Sequence, residues 1–296
     1  MADGNSTNES DFPPELECET YRRLHRDLAA HRDDDLREHY ALHGRSEGRV
    51  ANSLKGRLDF AALVGPNAKS LEIGPFANPL LAGPNTVYCD VLDTDSLVQR
   101  AKAIGADARR IPPITYVLDA RGLDAIPEDF DAVLSSHAIE HQPDLVLHLQ
   151  QVHRRLEVRG GRYFLLVPDQ RYCFDHFMSP STIAEIVDAH HARRTVHTLK
   201  SVVEHRALTC HNDAVRHWRG EHGERTVSAA AVAGAVNEWT SASGGYVDVH
   251  AWYFTPDSFA ENIGLLNGLD LVRFSIERLY PTRRGAGEFW AILRAD

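Results

Sequence analysis

The chain predicts an α/β fold built on a Rossmann-like, mostly parallel sheet, with a helical N-terminal extension and a helical insertion. Three observations predict it. Strand and helix signals alternate from about residue 70 to 167, the pattern of parallel strands joined by crossover helices. The first of these strands runs into Glu72-Ile73-Gly74-Pro75, where Gly74 lets the backbone turn sharply and approach a ligand. Later strands end on Asp90, Asp119 and Ser135-Ser136, and open α/β sheets bind ligands at those ends.

Taken in order, residues 1–15 are polar and read as a disordered tail. Residues 16–55 read as a helical module, because Tyr21, Leu24, Leu28, Leu36, Tyr40 and Leu42 recur at helical spacing. Residues 56–175 form the predicted Rossmann-like core. Its strands are expected at 71–73, 87–91, 114–119, 130–135 and 163–167. The turn after Ile73 is read as the first strand-to-helix crossover. A helix is expected over about 143–157, with Leu145, Leu149, Val152 and Leu156 on one face and Gly160-Gly161 ending it. Residues 176–245 hold few strand signals and read as a helical lid. In residues 246–296 the regular pattern resumes: a helix opening on Thr255-Pro256, then strands at 271–276 and 288–293.

Composition limits the function. The chain has 296 residues, 43% of them hydrophobic, enough for one sizeable core. With 32 basic against 42 acidic residues, its net charge of -10 argues against nucleic acid or an anionic membrane as partner. No apolar run has the length of a membrane span, and no secretory signal is visible. Cys18, Cys89, Cys173 and Cys210 are scattered, without a Cys-x-x-Cys pair. A cytoplasmic enzyme acting on a small or neutral acceptor is the expectation.

The turn lacks the three glycines of a dinucleotide fingerprint and the Gly-Lys-Ser/Thr ending of a P-loop. It resembles instead the first motif of class I S-adenosylmethionine (SAM) methyltransferases, in a variant where Gly-Pro replaces part of the glycine run. The two closing strands resemble the antiparallel hairpin that finishes that family's sheet. The resemblance implies SAM as cofactor, held by Glu72, Gly74, Asn78, Asp90, Asp119, Ala120, Ser135 and Ser136. Asp90 would take the ribose hydroxyls, with Asp93 as competitor. Asp119-Ala120 would meet the adenine, and the backbone at Ser135-Ser136 the methionine amine.

Methyl transfer is an in-line displacement on an already activated donor, so alignment dominates. A hydroxyl acceptor also needs its proton removed. Glu140-His141, after the fourth strand, resembles the Glu-His of many small-molecule members. Two roles fit His141, general base or shaper of the turn before Gln142-Pro143, and both stand at this stage. Asp169, after the fifth strand, is the third catalytic candidate. Arg171, Tyr172, Asp175, His176, Glu204, His205, His211 and His217 are expected to meet the acceptor. Eight histidines fall between His176 and His222. No tight metal-ligand spacing exists there, so a divalent metal such as Mg²⁺ is expected only as an acceptor-bridging ion with no ligands assigned.

The phrase Asp169-Gln-Arg171-Tyr172-Cys-Phe174-Asp175-His176-Phe177 resembles bacterial sugar O-methyltransferases, of the kind that acts on methylmannose polysaccharide precursors. The His39 to Arg49 phrase resembles a helical module found beside glycan-modifying enzymes. Together they imply O-methylation of a sugar, a sugar-containing small molecule or an oligosaccharide. A non-sugar metabolite as acceptor, or a non-catalytic SAM-binding module, are the alternatives. The oligomeric state is left open, a homodimer included.

Overall fold

The structure is a computed structural model that describes residues 12–156 and 160–296. Seven strands form one sheet: β1 (Ser70–Ile73), β2 (Thr86–Asp90), β3 (Tyr116–Val117), β4 (Ala132–Ser136), β5 (Arg162–Pro168), β6 (Phe274–Tyr280) and β7 (Glu288–Ala295). Their order is β3-β2-β1-β4-β5-β7-β6. The first five are parallel, and β7 runs antiparallel to both β5 and β6. This is the Rossmann-like sheet with an antiparallel closing strand that the sequence predicts.

Ten helices accompany the sheet among the described residues: α1 (Cys18–Leu24), α2 (Asp33–His39), α3 (Arg57–Ala62), α4 (Thr94–Ile104), α5 (Leu145–Leu156), α6 (Ile183–His191), α7 (Leu199–Ala207), α8 (Ala214–His217), α9 (Ala229–Ser241) and α10 (Pro256–Gly268). Strands β4 and β5 carry near-continuous apolar runs because both their faces are covered. Leu71, Ile73, Val133, Leu165 and Val167 pack under Leu145, Leu149 and Val152 of α5. Leu134, Phe164 and Leu166 point to the other face, against Phe60 and Trp290. The expected helix over 143–157 begins at Leu145, and position 157 lies outside the described residues. Thr255 caps α10 with Pro256 as its first residue, as expected.

One expectation fails near β1. No helix follows it, because residues 74–85 include Pro75, Pro79 and Pro84, which lack the amide protons a helix needs. Glu72, expected among the cofactor-binding residues, has a structural partner in that loop. Its buried carboxylate accepts the amides of Leu80 (2.9 Å) and Leu81 (2.8 Å), holding that loop against the sheet. Burial, partly offset by those amides, pushes its pKa up to about 7.

The expected tail also needs correction. Residues 1–11 lie outside the described part, but Phe12 packs edge-on against Phe164 and the Pro13 carbonyl accepts the Tyr280 hydroxyl at 2.6 Å. In the N-terminal module Tyr21, Leu28, Leu36 and Tyr40 form a small core of their own. Leu24 and Leu42, expected on that face, are exposed. Gly44 ends the π-helical turn Tyr40–Gly44, where a side chain would collide with the buried Tyr21 hydroxyl.

Gly44→Ala should therefore lower stability by about 1–3 kcal/mol in urea denaturation. Gly234→Ala, on the exposed face of α9 with open space around it, should raise stability by about 0.5–1 kcal/mol. Equal effects at the two sites would contradict this packing.

Candidate active site

The strand order reverses between the parallel neighbours β1 and β4, and the crevice there opens between Gly74 and the turn after Ser136. Gly74 has φ +64, and a Cβ there would meet only Ala138, at 3.9 Å. His137 and Phe76 also adopt positive φ, at 53 and 40, so both strand ends turn abruptly away from the crevice.

Asp90 ends β2 and is mostly enclosed. Burial raises its pKa, and its carboxylate accepts the Leu92 amide at 3.0 Å. Asp93 caps α4 by accepting the Ser96 amide at 2.8 Å, so of the two acids Asp90 is the one uncommitted to capping a helix. Asp119 is exposed and gripped by Arg121, at 3.0 Å to Nε and 2.8 Å to Nη2, which holds its carboxyl below the usual range. It is a turn-forming acid, and Ala120 beside it is exposed. The Ser135 hydroxyl points into the core, 2.8 Å from the Tyr163 hydroxyl, leaving only its backbone for a ligand. Ser136 is half-buried at the crevice, and Asn78 is exposed on the loop beyond it.

Beside the crevice lies a cavity of about 410 Å³, lined among others by Arg57, His137, Glu140, His141, Tyr172, Phe174, Asn212, His250 and Glu288. Its floor is a charge network. Glu140 is buried, and neither of its side-chain oxygens has a hydrogen-bond partner. His141 Nε2 and His250 Nε2 each lie 3.8 Å from Glu140 Oε1, and His137 Nδ1 lies 3.9 Å away. Each imidazole has a second carboxylate at its other nitrogen. Glu288 is 2.6 Å from His137, Asp248 is 3.1 Å from His141, and Asp175 is 2.6 Å from His250. The His141–Asp248 contact is an ion pair without hydrogen-bond alignment.

The electrostatics follow this pattern. Burial alone would lower the His141 pKa, but Asp248 and Glu140 outweigh it and raise it. Burial would raise Glu288, yet His137 and Arg57 hold it at about 2. Asp248 is held well below the usual carboxylate range, chiefly by His141 against burial and with Arg100 adding, its Nη2 at 2.6 Å. The backbone closes the floor. The Glu140 carbonyl accepts the Ala251 amide at 2.7 Å, tying the β4 turn to the segment carrying Asp248 and His250.

Of the expected catalytic residues, Glu140 and His141 line this cavity and Asp169 does not. Asp169 is fully buried and fully engaged, accepting Arg171 Nε (2.9 Å), Arg171 Nη2 (2.6 Å) and the Thr282 hydroxyl (2.6 Å). It anchors the turn and has no capacity left for a proton or an acceptor. Arg171 directs its Nε and Nη2 at Asp169. Tyr172 lines the cavity, its ring stacked on Trp218 at 3.9 Å. Asp175 acts through His250. His205 gives its Nδ1 to the His250 amide (3.1 Å) from behind, and burial holds its pKa at about 4. Glu204 lies 3.4 Å from the Tyr253 hydroxyl, away from the cavity. His176, His211 and His217 belong to a separate stacked group in the lid with His222.

Sequence reasoning missed Arg57, His137, Asp248, His250 and Glu288. One signal was present: Asp248-Val249-His250 alternates, so both polar side chains leave an extended segment on one side. The pairing of Glu288 with Arg57 and His137 spans most of the chain and has no local signature.

No protein-family model matches this chain, and no curated protein matches it. Solved structures match at low identity. The CcbJ methyltransferase of Streptomyces caelestis is 10% identical, with 81% of this chain and 94% of that one covered and a TM-score of 0.42. A SAM-dependent methyltransferase of Clostridium acetobutylicum is 10% identical, with 88% and 98% covered and a TM-score of 0.41. A proposed zinc-dependent alcohol dehydrogenase of Rhodobacter sphaeroides is 13% identical, with 87% and 96% covered and a TM-score of 0.43. At this level the likeness carries no chemistry. No helix of the described residues is long and apolar enough to cross a membrane.

The burial of Glu72 gives a pH test. Its pKa rises from 4.5 to about 7 on folding, so the folded state holds a proton that the unfolded chain releases first. Stability attached to this group is complete below about pH 4.5 and is lost as pH rises through about 7. Glu72→Gln keeps an acceptor for the loop amides without the charge. It should unfold at higher urea than the native chain at pH 8 and at nearly equal urea at pH 4. An identical difference at both pH values would remove this account.

Proposed function

We propose that this chain is a SAM-dependent O-methyltransferase that methylates a hydroxyl of a sugar or sugar-containing small molecule. The observation that carries the reading is the adjacency of two sites at the carboxyl ends of one parallel sheet. One is a crevice at the reversal point, with Gly74 at its lip and Asp90 at the end of β2. The other is a cavity lined by carboxylates and imidazoles across β4. Ligands of open α/β sheets bind at such reversal points, and an acid at the end of β2 suits a ribose diol.

The chemistry asked of the second site is modest. The acceptor oxygen attacks the sulfonium methyl, the carbon–sulfur bond breaks, and the sulfur leaves as a neutral thioether. The acceptor's proton must then go to a base. His141 is the nearest expected one, beside Glu140 on the cavity floor. Arg57, Asn212 and the carboxylates offer hydrogen bonds to several hydroxyls, and Phe174 and Tyr172 offer ring faces. That lining supports a hydroxyl-rich acceptor over an apolar one. The likeness of the Asp169–Phe177 phrase to sugar O-methyltransferases such as the mycobacterial methylmannose polysaccharide 1-O-methyltransferase supports the same reading. The four cysteines are unpaired, in keeping with action in the cytoplasm.

Calorimetry with SAM and its demethylated product should show binding of both. Asp90→Ala should weaken it roughly tenfold or more, and Asp93→Ala should leave it unchanged. Absence of binding to the native protein would overturn the reading. With labelled SAM, a panel of free and partly methylated hexoses and oligosaccharides should contain the acceptor. Labelling confined to non-sugar metabolites would replace the sugar by another class. His141→Ala should abolish turnover while keeping SAM affinity.

A further inference from the structure

A buried carboxylate normally has hydrogen-bond donors, because leaving it without them costs several kcal/mol. Glu140 has none at either oxygen. What faces it instead is His141 Nε2 and His250 Nε2, each 3.8 Å from the same oxygen. The opposite nitrogen of each ring lies on a carboxylate, Asp248 for His141 and Asp175 for His250. Asp175 takes the His250 Nδ1–H at 2.6 Å and leaves Nε2 with a free lone pair, while Asp248, 3.1 Å from His141 Nδ1, stands behind the second ring, whose Nε2 faces Glu140. Proteins present imidazole to metals in this way. We propose that Glu140, His141 and His250 bind one divalent cation of the zinc type at the cavity floor, with Asp248 and Asp175 as the positioning residues behind the two imidazoles.

The geometry suits an ion. All three donor atoms lie within 4.8 Å of one another. Bonds of about 2.0–2.2 Å set tetrahedral donors roughly 3.4 Å apart, so each imidazole nitrogen, now 3.8 Å from Glu140 Oε1, is within a few tenths of an ångström of its place relative to the carboxylate. Two imidazoles and one carboxylate favour Zn²⁺, Co²⁺ or Fe²⁺ over Mg²⁺, which prefers oxygen ligands and retains its waters. This replaces the sequence-level expectation of Mg²⁺. Three protein ligands leave a position open, and the surrounding cavity lies in front of it. An ion there lowers the pKa of a bound hydroxyl. That last role rests on the methyltransferase reading above, and it would make His141 a ligand rather than the base.

Two neighbouring groups of side chains do not meet the same conditions. In the Asp175, His205 and His250 group, His205 Nδ1 already accepts the His250 amide and His250 Nδ1 is spent on Asp175. In the His176, His217 and His222 group, the rings of His176 and His222 stack at 3.8 Å and within 6°. Their in-plane lone pairs therefore lie in parallel planes and do not converge on one point.

The test is calorimetric titration of chelator-treated full-length protein with Zn²⁺ and with Mg²⁺, and absorption spectroscopy with Co²⁺. One Zn²⁺ per chain is expected, bound at least tenfold more tightly than Mg²⁺ as a rough margin. Glu140→Gln and His250→Ala should remove this binding, Asp248→Asn should weaken it about 10–100-fold, and His217→Ala should leave it unchanged. No Zn²⁺ binding to the native chain overturns the proposal, as does binding that survives Glu140→Gln and is lost in His217→Ala. If circular dichroism shows Glu140→Gln unfolded, the part-exposed Asp248→Asn decides between the two outcomes: weakened binding supports the site, and unchanged binding overturns it. Parallel titration with the demethylated cofactor separates the two ideas. Zn²⁺ binding without cofactor binding would sink the methyltransferase reading alone, and the reverse would sink the metal site alone.

Discussion

The Glu140 carboxylate is the constraint on which the rest of the site depends. It sits inside the protein at the end of β4 with no donor of its own. Three imidazoles surround it, and each is backed by an acid from a different part of the chain: Glu288 on β7, Asp248 in the segment before α10, and Asp175 in the loop after β5. Carboxylates and imidazoles thus alternate outward from the centre. Removing one acid would release its histidine and leave the central charge less compensated, which costs more than the loss of one contact. The floor of the cavity is therefore one unit, assembled only when the closing strands and the segment before α10 have docked on the parallel sheet.

Backbone strain places that unit. His137 takes a positive φ immediately after β4, and this turns its ring back over Glu140 and toward Glu288. Gly74 makes a matching turn after β1, and Phe76 another two residues on. These conformations cost of order 1–3 kcal/mol each for residues with a side chain. They persist because surrounding bonds fix them. The His137 amide donates to the Leu166 carbonyl and the Gly74 amide to the Cys89 carbonyl. The crevice is held open between two turns of this kind. The proline-rich loop in place of a helix lets Glu72 bind that loop down from beneath.

The sheet was legible in the sequence and much of the site was not, for physical reasons. Parallel strands buried on both faces read as apolar runs, so β1, β4 and β5 stand out in any local window. The Thr255-Pro256 start of α10 is likewise local chemistry. Acids at strand ends look alike in a sequence whatever they do. Asp90 is enclosed and accepts the Leu92 amide, Asp119 grips Arg121, and Asp169 grips Arg171 and Thr282, yet all three stand at or after a strand end. Only three-dimensional neighbours separate them. Arg57, Asp248 and Glu288 acquire meaning solely from partners far along the chain, and no spacing rule reaches that far.

The histidine-rich lid shows the same point at larger scale. A run of eight histidines between His176 and His222 reads as one functional segment, but the fold divides it. His205 stands behind His250 and belongs to the cavity floor. His176, His211, His217 and His222 form a stack whose tautomers are set by main-chain carbonyls: Arg171 for His176, His211 for His217, and Glu221 for His211. Burial, with repulsion from neighbouring imidazoles, lowers the pKa values of His217 and His222, and the rings pack flat against one another. It braces α8, and just beyond α8 Trp218 stacks on Tyr172 at the cavity wall. The Trp218 indole also donates to the Ala286 carbonyl at 2.8 Å, next to Gly287 and Glu288. The lid histidines thus act on the site through the shape of its wall, while the charge chemistry stays with the three imidazoles around Glu140.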